Sequence, residues 1–117
     1  MAIPLRPLEA ADLDQVYLVN RQIEIHDQLP LVTSRAEFED WLAEPHFDLA
    51  ADARGAEWEG IVVGFARVWH RASGEREERA YLLGGVHPDF RRRGIGTSLF
   101  GWQLGRATEQ LRATGNG

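Results

Sequence analysis

The chain has no cysteine among its 117 residues, which excludes disulfides, a thiolate nucleophile, an acyl-cysteine intermediate and any thiolate zinc site. It also lacks a run of about 18 uninterrupted apolar residues, the length a membrane-spanning helix needs. Its first residues, Met-Ala-Ile-Pro-Leu-Arg-Pro, hold no apolar signal core. No membrane partner is expected, and a cytoplasmic location is the default. Basic residues are the minority, 13 against 18 acidic, for a net charge of −5. A body of that sign disfavours nucleic acid and anionic lipid as partners. Internal repeats and low-complexity tracts are absent, and the histidine spacing suggests no metal site.

What is present is the profile of one soluble domain over residues 1–117, 44% hydrophobic and 26% charged. Residues 2–6 read as a short strand closed by Pro7. Leu13, Val16, Tyr17, Val19 and Ile23 recur at helical spacing, which predicts an amphipathic helix over about residues 10–26. Ser34-Arg35-Ala36-Glu37 fits a capping box that opens a second helix, ended by Pro45. Phe47 to Asp52 suggests a strand, Ala53 to Gly60 a hydrophilic connection, and Ile61 to His70 a strongly β-prone strand. Arg71 to Arg79 reads as a charged hairpin loop. Ala80 to Val86 follows as a strand weakened by Gly84 and Gly85, a place that bulges or admits a ligand. A last helix runs from Gly94 to about Arg112, with Gly115-Asn116-Gly117 suited to a left-handed cap. Gly101 and Gly105 stand four apart on it. The tryptophans, with Phe47, Phe65 and Phe100, read as core packing, apart from Trp58 in a polar loop.

The chemistry concentrates in Val86-His87-Pro88-Asp89-Phe90-Arg91-Arg92-Arg93-Gly94-Ile95-Gly96-Thr97-Ser98, a strand turning through an Arg/Gly loop into a helix. Gly94 and Gly96 allow close backbone approach to an anion. The unpaired amides of the first helical turn point outward with the positive end of the dipole. Arg91, Arg92 and Arg93 add charge where a pyrophosphate would sit, and His87 before Pro88 reads as a turn residue.

The order of elements together with Arg91-Arg92-Arg93-Gly94-Ile95-Gly96 resembles the GNAT superfamily of N-acetyltransferases, whose acetyl-CoA signature is Gln/Arg-x-x-Gly-x-Gly/Ala. Val86-His87-Pro88-Asp89-Phe90 fits the family's lead-in, and Val63-Gly64-Phe65-Ala66 is similar to its central hairpin. The resemblance implies an α/β (α+β) fold with a mostly antiparallel central sheet flanked by helices, truncated before the C-terminal strands. It implies acetyl-CoA as co-substrate, without a metal, and transfer of acetyl to a primary amine of a small molecule or peptide. The amides from about Arg92 to Thr97 would hold the pyrophosphate, with Ile95 inside that stretch and the hydroxyls of Thr97 and Ser98 assisting. Gly85 and Val86 would pair with the pantetheine arm as another strand, Gly84 and Gly85 leaving room for it.

A complete domain of that family continues beyond this helix. The chain resembles the first half of tandem, mycothiol-synthase-like members, so either a C-terminal continuation or a second copy in a homodimer is expected to complete the sheet. A non-catalytic half that serves as a structural or regulatory coenzyme A-binding module is the alternative to an enzyme. Direct transfer needs a neutral amine, a polarised thioester carbonyl and an exit for one proton. Backbone amides of the strand before the loop suit the polarisation. Glu24, His26, Asp27 and His70 are candidates for the proton, none singled out, so the catalytic residues stay open.

Overall fold

β1 (Leu5–Pro7) pairs antiparallel with β2 (Ala53–Trp58), β2 with β3 (Ile61–Arg71), and β3 with β4 (Arg79–Val86), so the spatial order repeats the order along the chain. The computed structural model describes residues 3–30, 32–44, 47–71 and 79–113. Between β1 and β2 come α1 (Leu13–Asp27), entered through a 3-10 turn at Ala10–Asp12, then α2 (Arg35–Ala43) and the one-turn α3 (Leu49–Asp52). After β4, a 3-10 turn at Pro88–Phe90 leads to α4 (Ile95–Ala113).

α1 ends where its apolar spacing predicts, closed by Gln28 in the left-handed conformation, but residues 10–12, expected to open it, form the 3-10 turn. Ser34 and Glu37 form the capping box: the Ser34 hydroxyl accepts from Glu37 N–H at 3.2 Å. α2 ends at Ala43; Pro45, expected to end it, lies outside the described residues, as do the hairpin loop 72–78 and the glycine-rich end 114–117.

Two expectations fail together. Phe47–Asp52 is not a strand, because the Asp48 carboxylate accepts from Ala50 N–H at 3.0 Å and Asp52 N–H reaches back to Asp48 O at 2.7 Å. An aspartate at that position offers the backbone a helical cap in place of a ladder. The supposed connection Ala53–Gly60 is instead β2 and its turn. Glu59 (φ 49°) and Gly60 (φ 81°) both take positive φ, the geometry of a two-residue hairpin that matches the strand twist.

The sheet lies between two layers. Val16 and Val19 of α1 and Phe38 of α2 pack with Val62 and Phe65, while Ile95 and Leu99 of α4 pack with Ala56, Val63 and Ala66. Neighbours Phe65 and Ala66 therefore face opposite layers. Phe38, wholly buried, meets Tyr17 edge-on at 5.9 Å and lies 4.3 Å from Trp41. Removing its ring costs about 3–5 kcal/mol by the usual toll of a large-to-small core change.

A bulge sets how closely α4 approaches. Ala56 pairs with Gly64 but Glu57 pairs with Val62, so Val63 is the extra residue on β3. Gly64 then faces α4, where a Cβ would stand 3.3 Å from both Ile95 Cγ2 and Leu99 Cδ1. α4 is also tied to α3: buried Asp52 accepts from Arg106 Nε at 2.8 Å and Gln110 Nε2 at 2.9 Å. At the other end Arg6 joins β1 to Asp12 and Glu57, and holds the Asp12 carboxyl below the ordinary carboxylate range. Gly101 and Gly105 support no close packing here, since a Cβ on either meets open space.

Candidate functional site

The site is built where β4 ends and α4 begins. His87 N–H donates to Val63 O at 2.8 Å, which fixes the alternation of the β3–β4 ladder. Leu83 and Gly85 face Arg67 and Phe65 across the hydrogen-bonded rungs. Leu82, Gly84 and Val86 therefore turn their N–H and C=O groups to the open edge of β4. Gly85, expected to line an added strand with its backbone, directs that backbone inward to β3.

The two glycines of β4 answer to packing. A Cβ on Gly84 would lie 2.3 Å from Phe65 O and 2.8 Å from Ala66 Cα, both backbone atoms. A Cβ on Gly85 would meet Ile23 Cδ1 of α1 at 2.6 Å. Glycine at both positions lets β4 close against β3 on one side and α1 on the other.

Beyond Val86, the His87 ring caps the short turn, Nδ1 accepting from Asp89 N–H at 3.1 Å, and its edge meets Phe90 at 5.9 Å. Trp58 packs against Phe90 at 6.4 Å from the end of β2, not from a polar loop. Arg92 (φ 65°) and Gly94 (φ 83°) both adopt left-handed backbone, so the loop coils tightly before α4 starts. Ser98 N–H donates to Gly94 O at 3.0 Å as the helix closes its first turn. The amides of Ile95, Gly96 and Thr97 then have no intrahelical acceptor and stand at the positive end of the dipole.

The three arginines separate into two roles. Arg91 makes a two-pronged ion pair with Asp27 at the end of α1, both distances 2.9 Å, and its Nε donates to Val86 O at 3.3 Å. The guanidinium beside Asp27, with His26 adding less, holds that carboxyl well below the usual carboxylate range, and Asp27 in turn raises Arg91. Arg93 lies over the Phe90 ring at 5.1 Å. Among the described residues no carboxylate pairs with Arg92 or Arg93, so two uncompensated cations flank a helix N-terminus, an arrangement an anion relieves.

Ile95 is buried against Ala56, Val63 and Ala66 and anchors the helix with its side chain, leaving its amide to the loop. Gly96, Thr97 and Ser98 are exposed. A Cβ on Gly96 would meet only Val86 Cγ2 at 3.8 Å, so the fold does not demand glycine there. From Gly96 a cleft of about 310 Å³ runs between the open edge of β4 and α4, bordered by Val86, Gly84, Leu82, Phe100 and Gln103. Phe100, expected in the core, is instead 53% exposed at the cleft wall. Gly96 belongs both to the first turn of α4 and to the wall of the cleft, so the backbone amides lead into it, which fits a ligand with an anionic head and an extended tail.

The candidate proton acceptors are dispersed. Glu24 is buried, its carboxylate taken up by Thr33 N–H at 2.7 Å and Arg21 at 3.2 Å, so it pins the segment after α1. His26 Nδ1 lies 3.0 Å from Asp27 Oδ1 on the exposed end of α1. The His70 side chain lies outside the described residues. Among the described residues no cluster of three His, Asp or Glu side chains is placed to hold a metal ion. No helix among them is long and apolar enough to cross a membrane.

A family model described as the acetyltransferase (GNAT) family matches residues 13–115. The chain belongs to this family. Solved structures agree in fold. A GCN5-related N-acetyltransferase from Sphaerobacter thermophilus superposes with a TM-score of 0.75 at 23% identity, covering 95% of this chain and 35% of that one. A ribosomal-protein-alanine N-acetyltransferase from Brucella melitensis gives 0.71 at 23% identity, covering 92% and 68%. N-acetylglutamate synthase from Neisseria gonorrhoeae, complexed with coenzyme A and N-acetyl-glutamate, gives 0.69 at 17% identity, covering 93% and 23%. The chain thus spans about a third of the first of these proteins and a quarter of the last. Comparison of the sequence with curated proteins gives no match.

Against the GNAT fold, two site residues escaped the sequence reading. Phe100 and Gln103 sit one and two turns into α4, beyond the Arg/Gly motif, and no local pattern sets them apart. The Asp27 contact to Arg91 spans 64 positions and depends on how α1 lies over β4.

Proposed function

We propose that this GNAT chain binds acetyl-CoA and transfers its acetyl group to a primary amine of a small molecule or peptide. The observation that carries the reading is that the first turn of α4, with its free amides at Ile95–Thr97, opens at Gly96 into the cleft along the open edge of β4; Arg92 and Arg93, with which no described carboxylate pairs, precede it in the chain. The amides from Arg92 to Thr97, with the hydroxyls of Thr97 and Ser98, hold the pyrophosphate. The outward backbone groups of Val86 and Gly84 take the pantetheine arm as a further strand. The coenzyme A seen in the gonococcal synthase supports this choice of ligand.

When bound, acetyl-CoA supplies an activated acyl carbon. The chain's own part is to orient that carbon, to exclude water with Phe100 and Leu82, and to aim edge N–H groups of β4 at the carbonyl oxygen. Negative charge growing on that oxygen is stabilised by fixed amide donors without reorganisation. The amine forms the new C–N bond, the C–S bond breaks with coenzyme A leaving as its thiolate, and the proton shed by the amine passes through water to that thiolate.

β4 is the last strand of the sheet among the described residues, and Leu82, Leu83, Phe100 and Leu104 stand exposed beside it. An open apolar edge invites pairing, so a C-terminal continuation or a second copy completes the sheet in the working protein, which we assign to the cytoplasm. The test is release of free coenzyme A thiol across a panel of primary amines. Amine-dependent release supports the reading, and its absence from a protein that binds acetyl-CoA leaves the non-catalytic coenzyme A-binding half in its place.

A further inference from the structure

Gln103 is a polar residue in an apolar wall. It lies two turns beyond Gly96 on α4, 6% exposed, and borders the cleft. Its Nε2 donates to Arg67 O at 3.1 Å and to Leu83 O at 3.0 Å. These two carbonyls belong to one rung, since Arg67 of β3 pairs directly with Leu83 of β4. One amide nitrogen on the helix therefore stitches both strands at a single level.

The rung has particular neighbours. Leu82 and Gly84, on either side of Leu83, are the residues whose peptide groups face the open edge and the cleft. Gly84 is already pressed against β3, with no room for a Cβ. Above it Gln103 restrains the Leu83 carbonyl, which shares one peptide plane with the Gly84 N–H, so that plane has little freedom to tilt. Gly96 and Gln103 both border the cleft and stand two helical turns apart, about 10 Å, so an anionic head at the Arg/Gly loop is separated from a tail that ends beside Gln103.

Resting on the acetyl-CoA reading above, we infer that Gln103 is a positioning residue for the acyl end of the co-substrate: by clamping the Arg67–Leu83 rung it aims the edge amide of Gly84 at the thioester oxygen. It does not touch the reacting atoms. Displacing such donors by a fraction of an ångström costs rate and carbonyl polarisation more than it costs binding of the nucleotide end.

The experiment uses the full chain and Gln103→Met, which keeps length and bulk and removes both N–H donors, with Gln103→Leu as a second variant should the first fold poorly. Coenzyme A and acetyl-CoA are titrated separately, and the carbonyl carbon of acetyl-CoA labelled with carbon-13 at C1 is followed by NMR. The wild-type protein is expected to bind acetyl-CoA more tightly than coenzyme A and to move the labelled carbonyl resonance downfield. The variants are expected to keep coenzyme A affinity within roughly twofold, to lose the acetyl preference and the downfield shift, and to drop kcat by roughly 10- to 100-fold at constant KM wherever turnover is measurable. Equal loss of affinity for both ligands, or a carbonyl shift unchanged in a folded variant, overturns the role of Gln103 alone. Failure of the wild-type protein to bind either ligand overturns the acetyl-CoA reading itself, and this inference with it.

Discussion

Asp27 closes both carboxylate oxygens on the guanidinium of Arg91, 2.9 Å each, joining the last residue of α1 to the first arginine of the Arg/Gly loop. The pair converts what looks like a threefold cationic patch into a fixed strut plus two cations with which no described carboxylate pairs. It also links the segment after α1 to the loop proposed to hold the pyrophosphate, because Arg91 simultaneously grips Val86 O at the end of β4.

The strut has a pH signature. Asp27 has its carboxyl depressed in the folded state by Arg91, so its contribution is fully present above the unfolded value of about 3.9 and is lost as pH falls through the folded value. The melting-temperature difference between wild type and Asp27→Asn is expected to be constant from neutral pH down to about pH 4 and to shrink below it. A difference that is unchanged in strong acid, or that is absent at neutral pH, shows that the pair does not support the fold.

The arginines are expected to divide in the same way under mutation. Arg92→Gly relieves a left-handed backbone worth about 1 kcal/mol and so raises stability while weakening acetyl-CoA binding. Arg93→Ala weakens binding and flattens its salt dependence, since an exposed charge acts within a Debye length of about 10 Å in ordinary buffer. Arg91→Ala instead lowers the melting temperature. Thermal melts and titrations at two salt concentrations check all three, and a uniform response would remove the distinction between strut and free cations.

Glycines give a second separation. Gly84→Ala drives a Cβ into the backbone of β3 and is expected to destabilise by about 1–3 kcal/mol, the usual cost of overpacking. Gly96→Leu has space in the folded chain, where the nearest atom to its Cβ is 3.8 Å away, and exchanges a poor helix former for a good one. It is expected to leave the melting temperature unchanged or higher while blocking the approach of an anion. Denaturant melts paired with acetyl-CoA titrations decide it, and retained affinity in Gly96→Leu would place the anion elsewhere.

α1, α2, β3, β4 and α4 were legible because their buried positions carry large side chains at the right period, or because Ser34 and Glu37 announce a cap. β2 was hidden because its buried positions are filled by Ala53, Gly55 and Ala56, which bury a strand without any hydrophobic stripe. Phe47 and Leu49 made the preceding stretch look apolar enough for a strand, while a single aspartate, Asp48, curled it into a helix. At the site, the loop chemistry of Gly94 and Gly96 was visible in six residues. The edge-facing phase of Leu82, Gly84 and Val86 was not, since it depends on the rung set by His87 and Val63. Nor was the neutralisation of Arg91, which arises only when Ile23 seats α1 over Gly85.

The most direct test of the account is a calorimetric titration of acetyl-CoA into the purified 117-residue chain at moderate salt, repeated with Gly96→Leu. The account predicts saturable binding by the wild-type chain that weakens with added salt and disappears in the variant. No saturable binding by a protein with an intact melting transition, or equal binding by the two, contradicts it.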